Sequence, residues 1–292
     1  MPRRIPGDIW EVERLNDMVI ELSLPAMKKF NDERWVLLMS DEHMDNAHSD
    51  LSLIRQHHEQ AIERNAPILK FGDTFCAMQG KWDKRADQDQ LREELRGNHY
   101  LDRLKDYAES LYKPYAKNIA VVAPGNHETS ISMRHQTSLT ECLVDRLRRA
   151  GGNTVMGGFT GFVRIRMACH GKRKSYILHY HHGYGGGGEV TRGMIDQNRT
   201  RGQYHADIYY SGHIHRRNMD ENEIVTVSPE GVAIRKTQLF LRGGAYKRED
   251  GAGGWHVEKG RSARPCGGWW LRFNAQADGH GSSDWKVTPI PA

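Results

Sequence analysis

The run SGHIHRR, residues 211–217, closes an apolar segment with two histidines one position apart, His213 and His215, followed by two arginines. Side chains two residues apart on an extended chain leave from the same face, so this pair presents two imidazoles to one place. Neutral imidazole is a common ligand of transition metals. The chain holds 16 histidines, and several recur in one setting, a short apolar run that empties into a loop carrying His, Asp or Asn. RWVLLMSDEH ends in Asp41 and His43, APILKFGD in Asp73, KNIAVVAPGNHE in Asn126 and His127, and KSYILHYHHG in His179, His181 and His182.

Each apolar run is short and continuous, which reads as a strand buried on both faces. Helical segments lie between the early strands. Leu51, Ile54, His58, Ala61 and Ile62 share one helical face, with Ser49 or Asp50 as the N-cap. Ser138 and Glu141 form a capping box ahead of the stripe Leu139, Leu143 and Leu147, and Gly151 marks the stop. Residues 80–114 read as an inserted helical hairpin, with Leu101, Leu104, Ala108 and Leu111 at helical spacing. From about residue 153 strands take over, Val163, Ile165 and Met167 alternating with Arg164 and Arg166. Early strand–helix alternation and late strands imply two sheets. The expected organisation is an N-terminal segment 1–34, a core 35–245 containing the insertion, and a C-terminal extension 246–292 that could add a strand.

In open α/β sheets, ligands bind where loops converge at the carboxyl ends of the strands. Convergence of these five loops assembles Asp41, His43, Asp73, Asn126, His127, His182, His213 and His215, an oxygen and imidazole set large enough for two divalent metals. A carboxylate bridges two cations with its two oxygens, and Asp73, alone on its loop after Gly72, suits that place. Asp41 and His43 can grip a single metal from one loop. Asn126 adds a neutral oxygen without adding negative charge where a phosphate must bind. Two metals about 3.5–4 Å apart clamp a phosphoryl oxygen and acidify water for in-line attack. That is the chemistry of phosphoester hydrolysis.

The ordered motifs D-x-H (Asp41, His43), GD (Gly72, Asp73), GNHE (Gly125 to Glu128), HG (His182, Gly183) and GHxH (Gly212 to His215) resemble those of the calcineurin-like metallophosphoesterases, over about residues 36–215. GD or HG alone has little weight, but five in order, each after a strand, are specific. The resemblance implies an α/β fold, a four-layer α/β/β/α sandwich with two mixed sheets, here with the inserted helical segment. It implies one metal held by Asp41, His43, Asp73 and His215 and the other by Asp73, Asn126, His182 and His213. His127 would stay unligated, contacting phosphate and protonating the leaving oxygen while a metal-activated hydroxide attacks. In HYHHG, adjacency to Gly183 selects His182 over His179 and His181. Two divalent ions are expected, manganese first, with iron, zinc and nickel fitting the same ligands.

The leading expectation for substrate is a phosphodiester in nucleic acid, as for a nuclease or end-processing enzyme. A net charge of +5 favours anionic partners, and Trp82, Trp255, Trp269 and Trp270 could stack on bases, although core or loop packing is the commoner role of any single one. A nucleotide, cyclic nucleotide or phosphoprotein is the alternative. A catalytically silent binding protein is a third reading, which the intact ligand set disfavours. Arg216 and Arg217 could steer phosphate, whereas the arginines of VRIRM and of the insertion (Arg85, Arg92, Arg96, Arg103, with Lys84) read as ordinary surface. GYGGGG, residues 183–188, reads as a loop, and His57, His99 and His256 as hydrogen-bonded polar residues. No run approaches the roughly 20 apolar residues of a membrane helix, and MPRRIPGDIWEVERL carries no export signal, so a cytoplasmic protein with no membrane partner is expected. Cys76, Cys142, Cys169 and Cys266 form no CxxC pair and are expected to be reduced.

Overall fold

In the computed structural model the apolar runs become neighbouring strands. The structure describes residues 9–79, 87, 89–186, 188, 191, 193–248, 257, 260, 262–277 and 283–292. Along the chain come β1 (Glu11–Arg14), β2 (Val19–Ser23), β3 (Glu33–Met39), α1 (Leu51–Glu63), β4 (Ile68–Phe71), α2 (Tyr100–Tyr112), β5 (Ile119–Ala123), α3 (Asn126–His135) and α4 (Leu139–Arg149). Then follow β6 (Val155–Met156), β7 (Thr160–Cys169), β8 (Lys172–His181), α5 (Met194–Gln203), β9 (Ile208–Ser211), β10 (Asn218–Val227), β11 (Ala233–Arg242), β12 (Trp269–Ala277) and β13 (Ser283–Pro291).

Two mixed sheets result, ordered β13-β12-β3-β4-β5-β6 and β1-β2-β7-β8-β9-β11-β10. The first is parallel from β3 to β6, with β12 and β13 antiparallel on its flank. Strand alternation explains why its sequence reads as unbroken apolar runs. Val36, Leu38, Leu69 and Phe71 face the second sheet, where they meet Leu22, Val163, Ile165, Leu178, Tyr180 and Tyr210. Phe71 stacks on Tyr180 with ring centroids 4.3 Å apart. Their neighbours Leu37, Met39 and Ile68 turn the other way and pack on α1, α2, α3 and α4. A third, small cluster of Ala206, Tyr209 and Phe240 covers the far face of the second sheet, where Arg201 of α5 lies 4.2 Å over the Phe240 ring. The layers therefore run helix, sheet, sheet, helix, as expected.

Capping follows the sequence. The Asp50 side chain accepts from Leu53 N to start α1, and Ser138 Oγ accepts from Glu141 N to start α4. The buried stripe of α1 is Ile54, His57, His58 and Ala61; Ile62, expected on it, lies 46% exposed because it sits at the stripe's outer edge. Of the expected helical insertion, the described part holds a 3-10 turn, Glu93–Leu95, and α2, while Lys84, Arg85 and Trp82 lie outside the described residues. Its arginines are not all surface decoration: Arg92 donates to the carbonyls of Met44 (2.9 Å) and Ser49. Nor are the arginines of β7, since Arg164 and Arg166 both pair with the buried Glu21. Trp269 and Trp270 are buried on β12, beside β3, in the packing role rather than as base-stacking surfaces; Trp255 and His256 lie outside the described residues. All four cysteines are free thiols. No described helix is long and apolar enough to cross a membrane.

Candidate metal centre

Strands β3, β4, β5, β8 and β9 deliver their loops to one end of the sandwich, where backbone and side chains stitch the loops together. Asp41 N donates to Gly72 O and His43 N to Asp73 O, both at 3.0 Å. Gly212 N donates to His182 O at 2.8 Å, His213 N to both Asp41 carboxylate oxygens at 2.9 and 3.1 Å, and His127 N to Asp73 Oδ1 at 3.0 Å. Asp41, His43, Asp73, His213 and His215 all adopt left-handed backbone angles, φ between 46° and 72°. Such conformations cost a non-glycine residue on the order of 1–3 kcal/mol and persist where surrounding structure enforces them. The motif glycines are explained by contact: a Cβ on Gly125 would strike the Asp73 carboxylate, and one on Gly212 the Asp41 carboxylate.

Two groups of potential ligand atoms form there, each with members within 4.8 Å of one another: Asp41, His43 and His215, and Asp73, His182 and His213. His43 Nε2 faces His215 Nε2 at 3.0 Å. Asn126 Oδ1 joins the second group, 2.7 Å from His213 Nδ1 and 3.1 Å from His182 Nε2. Asp73 Oδ2 stands 3.1 Å from His182 Nε2 and 3.7 Å from His127 Nε2. All seven expected ligands thus gather at one place, as does His127.

The chemistry of the donors fits cations. His182 Nδ1 lies 3.0 Å from the Phe71 carbonyl, which can only accept, so Nδ1 carries a proton. A neutral ring then presents its Nε2 lone pair to two further acceptors, Asp73 Oδ2 and Asn126 Oδ1. Lone pairs converge this way only around positive charge. Burial opposes a charged His182, yet the Asp73 carboxylate and its hydrogen bond push the ring up to about 10, so that a proton occupies the position a metal would take. Burial, then repulsion from His127 and His215, holds His43 well below the ordinary histidine range, in the neutral form that ligates metals.

His127 is oriented separately. Its Nδ1 donates to the Cys76 carbonyl, leaving Nε2 as the nitrogen turned to the centre. His43 and His127 meet edge to face, ring centroids 4.9 Å apart. Outside the centre are His179, stacked on Tyr204 at 4.0 Å, and His181, whose Nδ1 accepts from Gly183 N at 2.9 Å. His57 bonds the Tyr246 hydroxyl at 2.8 Å, and His99 is the left-handed N-cap residue of α2. Arg217 is committed to the carbonyls of Cys266 and Ala292 at 3.1 and 2.8 Å, so it is not placed to steer phosphate. Gly185, Gly186 and Gly188 of the glycine run are exposed.

Sequence reading missed the supports behind these loops. The Glu128 carboxylate accepts from the backbone N–H of Asp73 (3.1 Å), Phe75 (2.9 Å) and Gly125 (2.7 Å), locking two motif loops together. Asp45 accepts from Cys76 N and Ala77 N at 2.6 and 2.9 Å and from the Tyr100 hydroxyl at 2.5 Å, tying α2 to the same loops. Between Asp41 and His43, Glu42 turns inward to a fully buried ion pair with Lys70 at 2.5 Å and accepts from the Tyr112 hydroxyl at 2.8 Å. The charged letters inside SDEHMD and PILKFGD are the available signal for this pair. Removing one partner of a buried pair leaves an uncompensated charge, so K70M is expected to cost about 3–5 kcal/mol of stability, with E42Q/K70M recovering part of it. Urea midpoints measure both; a double variant no more stable than the single would separate the two residues energetically.

No family model matches the chain, and no curated protein matches its sequence. Solved structures do resemble it. A predicted phosphoesterase of Streptococcus pneumoniae shares 13% identity over 88% of this chain and 99% of its own, with a TM-score of 0.33. Vps29 of Chaetomium thermophilum shares 9% over 90% and 97%, TM-score 0.38. A metallophosphoesterase of Sphaerobacter thermophilus shares 12% over 87% and 88%, TM-score 0.33. At such identities, function is read from this chain's own residues.

Proposed function

We propose that the chain is a metal-dependent phosphoester hydrolase with a dinuclear centre, acting on phosphodiester bonds of nucleic acid. The observation that supports it most is the convergence of lone-pair donors from five strand ends on two adjoining points, with Asp73 in contact with the second group and His127 beside it. Asp41, His43, Asp73 and His215 would hold one ion, and Asp73, Asn126, His182 and His213 the other. Bound there, divalent ions supply Lewis acidity to phosphoryl oxygens and acidify water. The protein's own residues do the rest. The N–H of His213 fixes the Asp41 carboxylate, and Glu128 holds the Asp73 and Asn126 loops at fixed spacing. The Cys76 carbonyl pins His127 through its Nδ1–H, so that Nε2 faces the centre and, in the imidazolium form, carries the transferable proton. As water adds to phosphorus and the ester P–O bond breaks, that proton passes to the departing oxygen.

The net charge supports a polyanionic substrate, but the burial of Trp269 and Trp270 removes them as stacking surfaces and favours a small diester, such as a nucleotide or cyclic nucleotide, as the second reading. Manganese is the metal expected first, with iron, zinc and nickel next, since Asp, Asn and His ligands suit all four. The test is a panel of labelled single- and double-stranded DNA and RNA, bis-p-nitrophenyl phosphate and p-nitrophenyl phosphate, run with each metal. Diester turnover should exceed monoester turnover, vanish with EDTA and return with manganese. Turnover of the small diester without cleavage of any polynucleotide would select the second reading, and no turnover with any metal would end both.

A further inference from the structure

One thiol adjoins the centre and takes no part in it. Cys76, at the end of the loop GDTFC, is buried, and its Sγ lies with one ring nitrogen of His43 and one of His127 in a group whose members are all within 4.8 Å of one another. His127 Nδ1 is held by the Cys76 carbonyl, so Nε2 is the nitrogen left to coordinate. His43 is 2% exposed, and with its Nε2 turned to His215, the opposite nitrogen Nδ1 is buried with no hydrogen-bond partner. One thiolate and two imidazoles are the ligands of zinc and its softer congeners, not of manganese or magnesium. Around a tetrahedral ion with bonds of about 2.0–2.3 Å such donors stand about 3.5 Å apart, which small side-chain rotations here would reach.

We propose that His43, Cys76 and His127 form a separate soft-metal site, taking zinc or cadmium, whose occupancy shuts the neighbouring centre. On binding, the Sγ–H bond breaks, as does the Nε2–H bond of a His127 in its acid form; the protons pass to solvent, and the sulfur and nitrogen electron pairs go to the metal with no change of oxidation state. Burial and the nearby Asp45 push the Cys76 thiol up to about 12, so it stays protonated until a cation displaces the proton. The site takes two groups from the centre at once. A neutral imidazole offers one lone pair, so His43 cannot serve this ion and the Asp41 group together. His127 loses the nitrogen that carries the transferable proton.

The shut-off rests on the phosphoesterase reading; the binding does not. Cadmium added to the full chain is expected to raise a near-ultraviolet thiolate-to-cadmium charge-transfer band equivalent to one thiolate per chain, since no other ligand of the centre is a sulfur. The band should be lost in C76S and kept in C142S/C266S, which leaves Cys76 in place and covers the case in which C76S fails to fold. Absence of the band in the wild type, its persistence in folded C76S, or its loss in C142S/C266S would overturn the site. In the manganese-loaded enzyme, excess zinc should cut diester hydrolysis at least about tenfold, because it sequesters a proton donor worth about 10²–10⁴-fold. C76S, compared with its own uninhibited rate, should resist it. Equal zinc sensitivity of the two proteins would overturn the shut-off, whereas a band without any hydrolysis would overturn the functional reading and leave the site standing.

Discussion

Asp73→Asn is expected to empty the centre and to lower diester hydrolysis by on the order of 10³-fold or more, the several kcal/mol of charge stabilisation that a metal supplies. The substitution is nearly isosteric, which isolates the charge. An amide oxygen can still accept from His127 N, as Oδ1 does now at 3.0 Å, so the loop should hold its course. The other position becomes an NH2 group directed at His182 Nε2, now 3.1 Å from Oδ2, where it can neither bridge two cations nor attract one. Burial alone would push the Asp73 carboxyl up, but His182 and then His127 hold it well below the usual carboxylate range, so it is ionised in the wild type at neutral pH. Elemental analysis after desalting, beside initial rates, checks both halves. Wild-type metal content in a folded D73N protein would remove Asp73 from the bridge, and wild-type turnover would remove it from the reaction.

His127→Ala separates the proton donor from the metals. Manganese content should stay at the wild-type level, because His127 belongs to neither the Asp41 nor the Asp73 group of gathered ligands and joins only the separate group of His43 and Cys76. The kcat should fall by about 10²–10⁴-fold while KM changes little, the pattern of an interaction made mainly in the transition state. The size of the loss depends on what departs. A p-nitrophenolate leaves readily without a proton, so bis-p-nitrophenyl phosphate should be affected least and a diester with a nucleoside alcohol most. Comparing the two substrates on one variant measures this directly. Equal losses on both would assign His127 to phosphate binding, and loss of metal would make it a ligand.

The strands were legible because both sheet faces are covered, which turns β3, β4 and β5 into unbroken apolar runs. The gathered residue types were legible because Asp, Asn and His recur at the end of each run. What the sequence hid lies behind the loops. Lys70 interrupts an apolar strand by one letter, and alternation alone cannot say that it meets Glu42 rather than water. Glu128 reads as the last letter of a helix-starting motif, though its three backbone partners come from loops more than fifty residues away as well as from Gly125. Trp269 and Trp270 open the stretch GWWLRFN, which reads as a strand the C-terminal extension could add, and only pairing with β3 shows them buried. The left-handed angles at Asp41, His43, Asp73, His213 and His215 were equally invisible, because residue type alone would place glycine or asparagine there.

The position of β12 bears on how the protein is made. It hydrogen-bonds along β3 from Leu38↔Trp269 to Glu33↔Asn274, yet it leaves the ribosome after every other strand of that sheet except β13. Until then a nascent chain carries the Asp41 and His43 loop on an unpaired edge, a surface open to mispairing with other chains. The strand that leads into the Asp41 and His43 loop therefore completes its pairing only after β12 has been made.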